Sequence, residues 1–368
     1  MNHGRENNRN KLHSAPAEKK EKDEYVHKWY HIIPGILFCL MIAVPAWIAG
    51  SILPIIGGPV ISILLGILIT TAFPKLAGRK LIAGVRLESG VKYTSKKLLQ
   101  YSIILLGFEM NFFDVIRVGR QSLFVMIFTL SAAFITAFVM GKLLNISGKT
   151  TTLISVGTSI CGGSAIAATA PIIRAKDEEV SQAISTIFLF NIIAVFIFPV
   201  IGRLMNMGDI RFGMFAGTAI NDTSSVVAAG TAWSNAAGNN TALQFATIVK
   251  LTRTLMIVPI TLFLAFYTAR RKENNEAGNF SFAKVFPWFV VYFVAAALMN
   301  TFAGIPAWLS KDLVTLGKFV IVMAMGAIGL NTNLKKLFSN GLKPLLLGSA
   351  CWFAVTATSI IVQKFLGI

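Results

Sequence analysis

The stretch SVGTSICGGSAIAATAP, residues 155–171, lies in an uncharged run yet is written almost wholly in small and hydroxyl-bearing residues. Gly162-Gly163 sits in its middle and Pro171 at its end. An unbroken lipid-facing helix would not be composed this way, and backbone that leaves the helix inside a membrane must line a cavity or be buried in protein. A helix broken at the paired glycines points free N–H groups and a positive dipole end at an anion. The competing reading is a close-packed helix of the small-xxx-small kind. The binding candidates here are Thr158, Ser159, Cys161, Gly162, Gly163 and Ser164.

A second stretch, AGTAINDTSSVVAAG at 216–230, has the same character. At an offset of 60, Gly157 to Ser164 falls on Gly217 to Ser224. It adds Asn221 and Asp222, with Thr223 and Ser224 beside them. A carboxylate near mid-membrane costs about 2.5–3.5 kcal/mol on insertion scales, which makes Asp222 a functional candidate and suits it to carry a proton. If both stretches cross the membrane, the two copies are parallel. Either one is re-entrant or the likeness reflects a shared local role.

The rest of the chain fits this setting. Of 368 residues, 55% are apolar and 14% charged, with mean hydropathy +0.68; soluble domains carry about 25% charged residues. The net charge of +18 sits in short blocks between apolar runs, as in membrane-flanking loops rather than a nucleic-acid surface. Residues 1–28 are polar and read as a disordered cytoplasmic tail, and 29–368 as one transmembrane transporter domain. Cys39, Cys161 and Cys351 lie within apolar runs and read as packing residues.

The run from Ile32 to Pro74 holds two crossings with a turn at Pro54 to Pro59. Further spans follow near 97–116, 122–144, 150–173, 181–205, 211–233, 241–268, 285–304, 312–331 and 344–366, about eleven in all. With the N-terminus inside, 25 Lys and Arg fall on the cytoplasmic side and 6 outside, which places the C-terminus outside. At an offset of 222, residues 97–144 resemble 319–366, an odd number of spans apart and so inverted.

Lys250 and Arg253 lie ten and thirteen residues from the start of the span that begins near Thr241, too deep to snorkel easily, and share a helix face with Thr247 and Thr254. They read as neutralising Asp222, as attracting an anion, or as a salt-bridge lock between helices. Glu109 is a weaker proton-coupling candidate; Asp114 and Lys318 read as interface groups. His3, His13, His27 and His31 all precede the first span or join it, so no buried Ser-His pair or His-based metal site is available, and no GxxxxGK[ST] loop is present. An intramembrane enzyme therefore stands behind a transporter, a channel is separated from a carrier only by flux stoichiometry, and no cofactor or metal is expected.

At SVGTSICGGSAIAATAPIIRA and AGTAINDTSSVVAAG, and through LLGIL at 64–68, ILLGFEMN around Gly107 and VKLTRTLMIVP at 249–259, the chain resembles the YeiH family of bacterial inner-membrane proteins, described as sulfate exporters. The likeness covers nearly everything from residue 32 onward. The family is grouped with the cation/proton antiporter and anion transporter superfamily, which implies a panel subdomain, a core subdomain and crossed discontinuous helices. It implies 155–171 as one crossing element, paired either with the Asn221-Asp222 span or with the span holding Gly326, Gly329, Asn331 and Asn333. Members often read His-Asp-Thr where this chain reads Asn221-Asp222-Thr223, which puts a His-based relay in doubt and leaves Asp222 as the proton carrier.

The expectation is an all-α polytopic protein of the bacterial cytoplasmic membrane that exports a small inorganic or sulfur-containing anion, coupled to protons. The alternative is a Na⁺/H⁺-type antiporter using Asp222. A homodimer is left open.

Overall fold

The computed structural model describes residues 31–53, 57–73, 87–270, 286–332 and 341–367, and within them every regular element is helical. The segment 1–28 and Asn333 lie outside the described residues. In chain order the helices are α1 (Ile33–Ile52), α2 (Gly58–Ala72), α3 (88–109), α4 (Phe112–Leu143), α5 (Gly148–Ser159), α6 (Gly163–Ile172) and α7 (Asp177–Leu204). They continue as α8 (Asp209–Ala219), α9 (Thr223–Ala237), α10 (Thr241–Leu255), α11 (Ile257–Arg270), α12 (Trp288–Phe302), α13 (Ala307–Asn331) and α14 (Leu342–Phe365). Among the described residues the apolar runs read from the sequence are helical, apart from breaks at 110–111, 160–162, 220–222 and 256. Large side chains such as Met41, Ile135, Phe138 and Phe353 point outward, as lipid-facing positions require. Cys39, Cys161 and Cys351 are free and buried.

One boundary moves. The turn between α3 and α4 falls at Met110-Asn111 rather than near Arg117 and Arg120, which lie within α4. The Asn111 side chain accepts from the Phe113 N–H at 2.9 Å, and Thr301 of α12 accepts from the Phe112 N–H at 2.9 Å, so the start of α4 is capped from two directions. Arg117 instead pairs one turn back with Asp114 at 3.6 Å on an exposed face.

The helices form two groups. In the first, α1, α2 and α3 surround α13, and α12 packs on α3. Ser62, Gly66 and Thr70 make a ridge of small residues along α2: the Ser62 hydroxyl donates to Val322 O at 2.7 Å and Thr70 to Leu330 O at 3.0 Å. A Cβ on Gly66 would sit 2.4 Å from Gly326 O, so the backbones touch as they do where small residues replace hydrophobic drive. The second group gathers α4, α7, α10 and α14 around the two broken segments.

Both broken segments turn back instead of crossing. Helices α5 and α6 have 12 and 10 residues, about 18 and 15 Å at 1.5 Å per residue, where the hydrocarbon core is about 30 Å thick. Their outer ends meet: Lys149 Nζ donates to Arg174 O at 2.6 Å, and Ser147 donates to Glu179 Oε1 at 2.7 Å. Midway along the arms, a Cβ on Gly157 would sit 2.9 Å from Ile166 Cδ1. Helices α8 and α9 close in the same way. Asp209, in the first turn of α8, accepts from Trp233 Nε1 and Asn239 Nδ2, each at 2.8 Å, and Phe212 stacks on Trp233 with centroids 4.1 Å apart. Between the two hairpins runs α7, whose 28 residues are long enough to cross, so the hairpins open towards opposite faces.

Candidate functional site

The hairpins break in the same register. Helix α5 ends at Ser159 and α6 starts at Gly163; sixty residues on, α8 ends at Ala219 and α9 starts at Thr223. Gly162 forms the first tip at φ 67° and ψ −128°, a conformation that only glycine adopts freely. A Cβ placed there would lie 3.5 Å from the Asp222 Cβ and 3.6 Å from Asn191 Nδ2, so the two tips meet beside α7.

Helix α10 runs past both tips and supplies the two cations. Lys250 and Arg253 are fully buried, and both reach main-chain carbonyls. Lys250 Nζ donates to Ile160 O at 2.7 Å, to Ile220 O at 3.1 Å and to Asn221 O. Arg253 Nε donates to Ser159 O at 2.6 Å, Nη1 to Thr218 O at 2.6 Å and Ile220 O at 3.2 Å, and Nη2 to Thr158 O. These oxygens are the ones left without intrahelical partners where α5 and α8 stop, and they carry the negative ends of two helix dipoles. Two cations on one helix face therefore clasp both hairpins at once. The ammonium makes three hydrogen bonds, its full complement, and all go to the protein.

Asp222 has a different task. It is the N-cap of α9, accepting from the Ser224 N–H at 3.1 Å and from the Ser224 hydroxyl, with the Thr223 and Ser225 amides also turned to it. Its own N–H donates to Asn191 Oδ1 at 3.2 Å. Asn191, 3% exposed on α7, was not among the sequence candidates, although an amide within a long apolar span is itself a signal. Asn221 is 1% exposed, and neither Oδ1 nor Nδ2 of its side chain has a partner.

The remaining candidates divide. The Thr158 hydroxyl bonds back to Ile154 O at 2.8 Å and Ser159 to Val156 O at 3.4 Å, so these two residues offer carbonyls to Arg253 rather than hydroxyls to a ligand. Cys161 is buried within electrostatic reach of Lys250, Arg253 and Asp222, with the Ala165 N–H turned to its sulfur. Gly163 faces open space, with no atom within 4 Å of a would-be Cβ, and Ser164 is exposed. Thr223 is buried at the start of α9. Glu109 is not at the tips. It accepts from Asn240 Nδ2, and Asn240 Oδ1 accepts from Lys318 Nζ at 2.5 Å, a bridge between the two helix groups. Asn240 lies ten residues before Lys250 on the same helix, about 15 Å away.

Fold and site together define a multi-pass, all-α membrane protein with a polar junction of broken helices at its centre. The family comparisons agree: residues 34–348 match the profile described as conserved hypothetical protein 698, and the chain belongs to this family, UPF0324, which is the YeiH family. It is 48% identical over 349 residues to a UPF0324 membrane protein of Fusobacterium nucleatum, covering 91% of this chain and 98% of that one. A UPF0324 membrane protein of Streptococcus agalactiae is 48% identical and one of Streptococcus mutans 44%, each at the same two coverages. No solved structure matches the chain.

Proposed function

We propose that the protein is a secondary active transporter that exports a small anion, with sulfate and related sulfur oxyanions as candidates, and that protons are the coupling ion with Asp222 as their carrier. The observation that carries this reading is the occupation of the broken-helix carbonyls. A sodium ion needs oxygen ligands, and the carbonyls exposed at the ends of α5 and α8 are the natural ones. Here Lys250 and Arg253 already fill them. Two fixed positive charges against one carboxylate leave the junction formally at +1, which favours an anion over the Na⁺/H⁺ alternative. The hairpins open to opposite faces, so a junction between their tips suits access from each side in turn.

The distribution of 25 Lys and Arg against 6 supports a cytoplasmic N-terminus and an external C-terminus in the bacterial cytoplasmic membrane. The reading is tested by counterflow of radiolabelled sulfate and sulfite in proteoliposomes, with and without an imposed pH gradient. Anion flux that depends on the gradient, beside no sodium-dependent proton flux, is expected. Sodium-driven proton movement without anion flux would replace this reading with the antiporter.

A further inference from the structure

The few cations of the external side gather around one helix end. With the N-terminus inside and both hairpins re-entrant, the Lys and Arg left outside are Arg117, Arg120, Arg203, Arg211, Lys311 and Lys364. Four of these border two grooves that flank the end of α14. One groove, of about 690 Å³, runs between α4 and Leu366 and is lined by Arg117 and Arg120. The other, of about 720 Å³, is lined by Lys364 and Gly367 and, at the base of the second hairpin, by Arg211.

Helix length fixes their depth. Arg120 and Lys142 stand 22 residues apart on α4, about 33 Å, and Lys343 and Lys364 stand 21 apart on α14, about 32 Å. Neither interval contains a charged residue. The hydrocarbon is about 30 Å thick, so Arg120 and Lys364 sit together at the headgroup level of one leaflet. Phe124, one turn deeper on α4, is exposed on the same groove, and Phe113, Ile116 and Leu366 give it apolar walls beside the arginines. The nearby carboxylates do not cancel the charge. Asp114 meets Arg117 at 3.6 Å, and Asp209 is engaged by Trp233 and Asn239. Among the described residues, Arg120, Arg211 and Lys364 pair with no carboxylate. With both carboxylates counted, the two grooves keep +2, whereas Lys311 elsewhere on this side adjoins Asp312.

We infer that the groove between α4 and the end of α14 seats an anionic phospholipid of the external leaflet. Arg117 and Arg120 hold its phosphate, an acyl chain lies against Phe124, and Lys364 and Arg211 extend the positive field past the end of α14. A free oxyanion uses the charges but not the apolar walls, and a zwitterionic lipid brings an ammonium that the arginines repel. A lipid seated here touches α4 and α14 and lies beside the base of the second hairpin. This holds whichever ion the protein carries.

The test is native mass spectrometry of the purified full-length protein, titrated in detergent with phosphatidylglycerol or with phosphatidylcholine of the same acyl chains. Phosphatidylglycerol should bind the wild type at least about tenfold more tightly, the scale set by two surface cations. Arg117→Gln combined with Arg120→Gln should erase that preference; both side chains are exposed, so the fold does not depend on them. Lys142→Gln combined with Lys311→Gln removes the same charge away from the grooves and should keep it. Excess inorganic phosphate should not displace the lipid. Equal binding of the two lipids by the wild type, or equal losses in the two double variants, would overturn the assignment. Displacement by inorganic phosphate would also overturn it, and would make the grooves a site for free anions.

Discussion

Lys250→Met should lower the unfolding free energy by about 3–5 kcal/mol, a large part of the 5–15 kcal/mol that holds a typical domain together. Methionine keeps the length and apolar stem of the side chain, so packing changes little. What is lost is the shared partner of Ile160 O, Ile220 O and Asn221 O, three acceptors at a buried junction. Ile160 O and Asn221 O are then left unpaired and carry a desolvation penalty, while Ile220 O keeps Arg253, and the two tips lose one of their two common anchors. Lys318→Met is the control: that ammonium is half-buried and, among the described residues, its bond is to the Asn240 side chain. Thermal unfolding in detergent should therefore show a far larger fall in Tm for Lys250→Met. Equal falls would mean that the clasp does not hold the hairpins.

Asp222→Asn should leave stability nearly unchanged and remove the pH dependence of anion binding. Asparagine is as good an N-cap as aspartate, so the amides at the start of α9 keep their acceptor. The charge does change. Protonating Asp222 takes the junction from +1 to +2, so wild-type affinity for an anion should rise as pH falls and drop as the carboxylate ionises. One charge at a partly buried site is worth about tenfold or more in affinity. The variant is fixed in the neutral state and should bind tightly at every pH. A wild-type pH profile in Asp222→Asn, read by anion binding across the range, would remove the residue from proton coupling.

Much of the architecture is legible in the sequence because lipid demands long apolar runs, and those runs are where the helices lie. The breaks at Gly162 and Asp222 are legible too, since small and hydroxyl-bearing residues are poor material for a lipid-facing helix. That both segments return to the face they entered from is hidden for a specific reason. If the first hairpin does not cross, Arg174 and Lys176 move to the cytoplasmic side, and Arg203 and Arg211 move outside. The count stays at 25 against 6, because two consecutive re-entrant segments cancel and the alternation resumes after the second. The offset-60 likeness was the available clue. Two copies that look parallel become inverted once each is a hairpin.

Side-chain partners were harder to foresee. Spacing places Lys250 and Arg253 on one face, but their acceptors are carbonyls, and every residue in the chain has a carbonyl. Only the geometry of the breaks says which are unpaired. Arg117 and Arg120 mislead in the opposite way, since charged residues on the exposed early turns of a helix look like a loop until the Asn111 cap is seen.

The claim on which the site depends is that the hairpins enter from opposite faces and meet tip to tip. In a background lacking Cys39, Cys161 and Cys351, single cysteines at Lys149, Lys176, Gly208 and Asn239 occupy exposed positions at the two hairpin bases. Labelling with a membrane-impermeant thiol reagent, in intact cells and in inverted vesicles, reads the face of each. Positions 149 and 176 should react from the cytoplasmic side, and 208 and 239 from the other. If 149 and 176 label from opposite sides, the first segment crosses the membrane and the junction described here does not form.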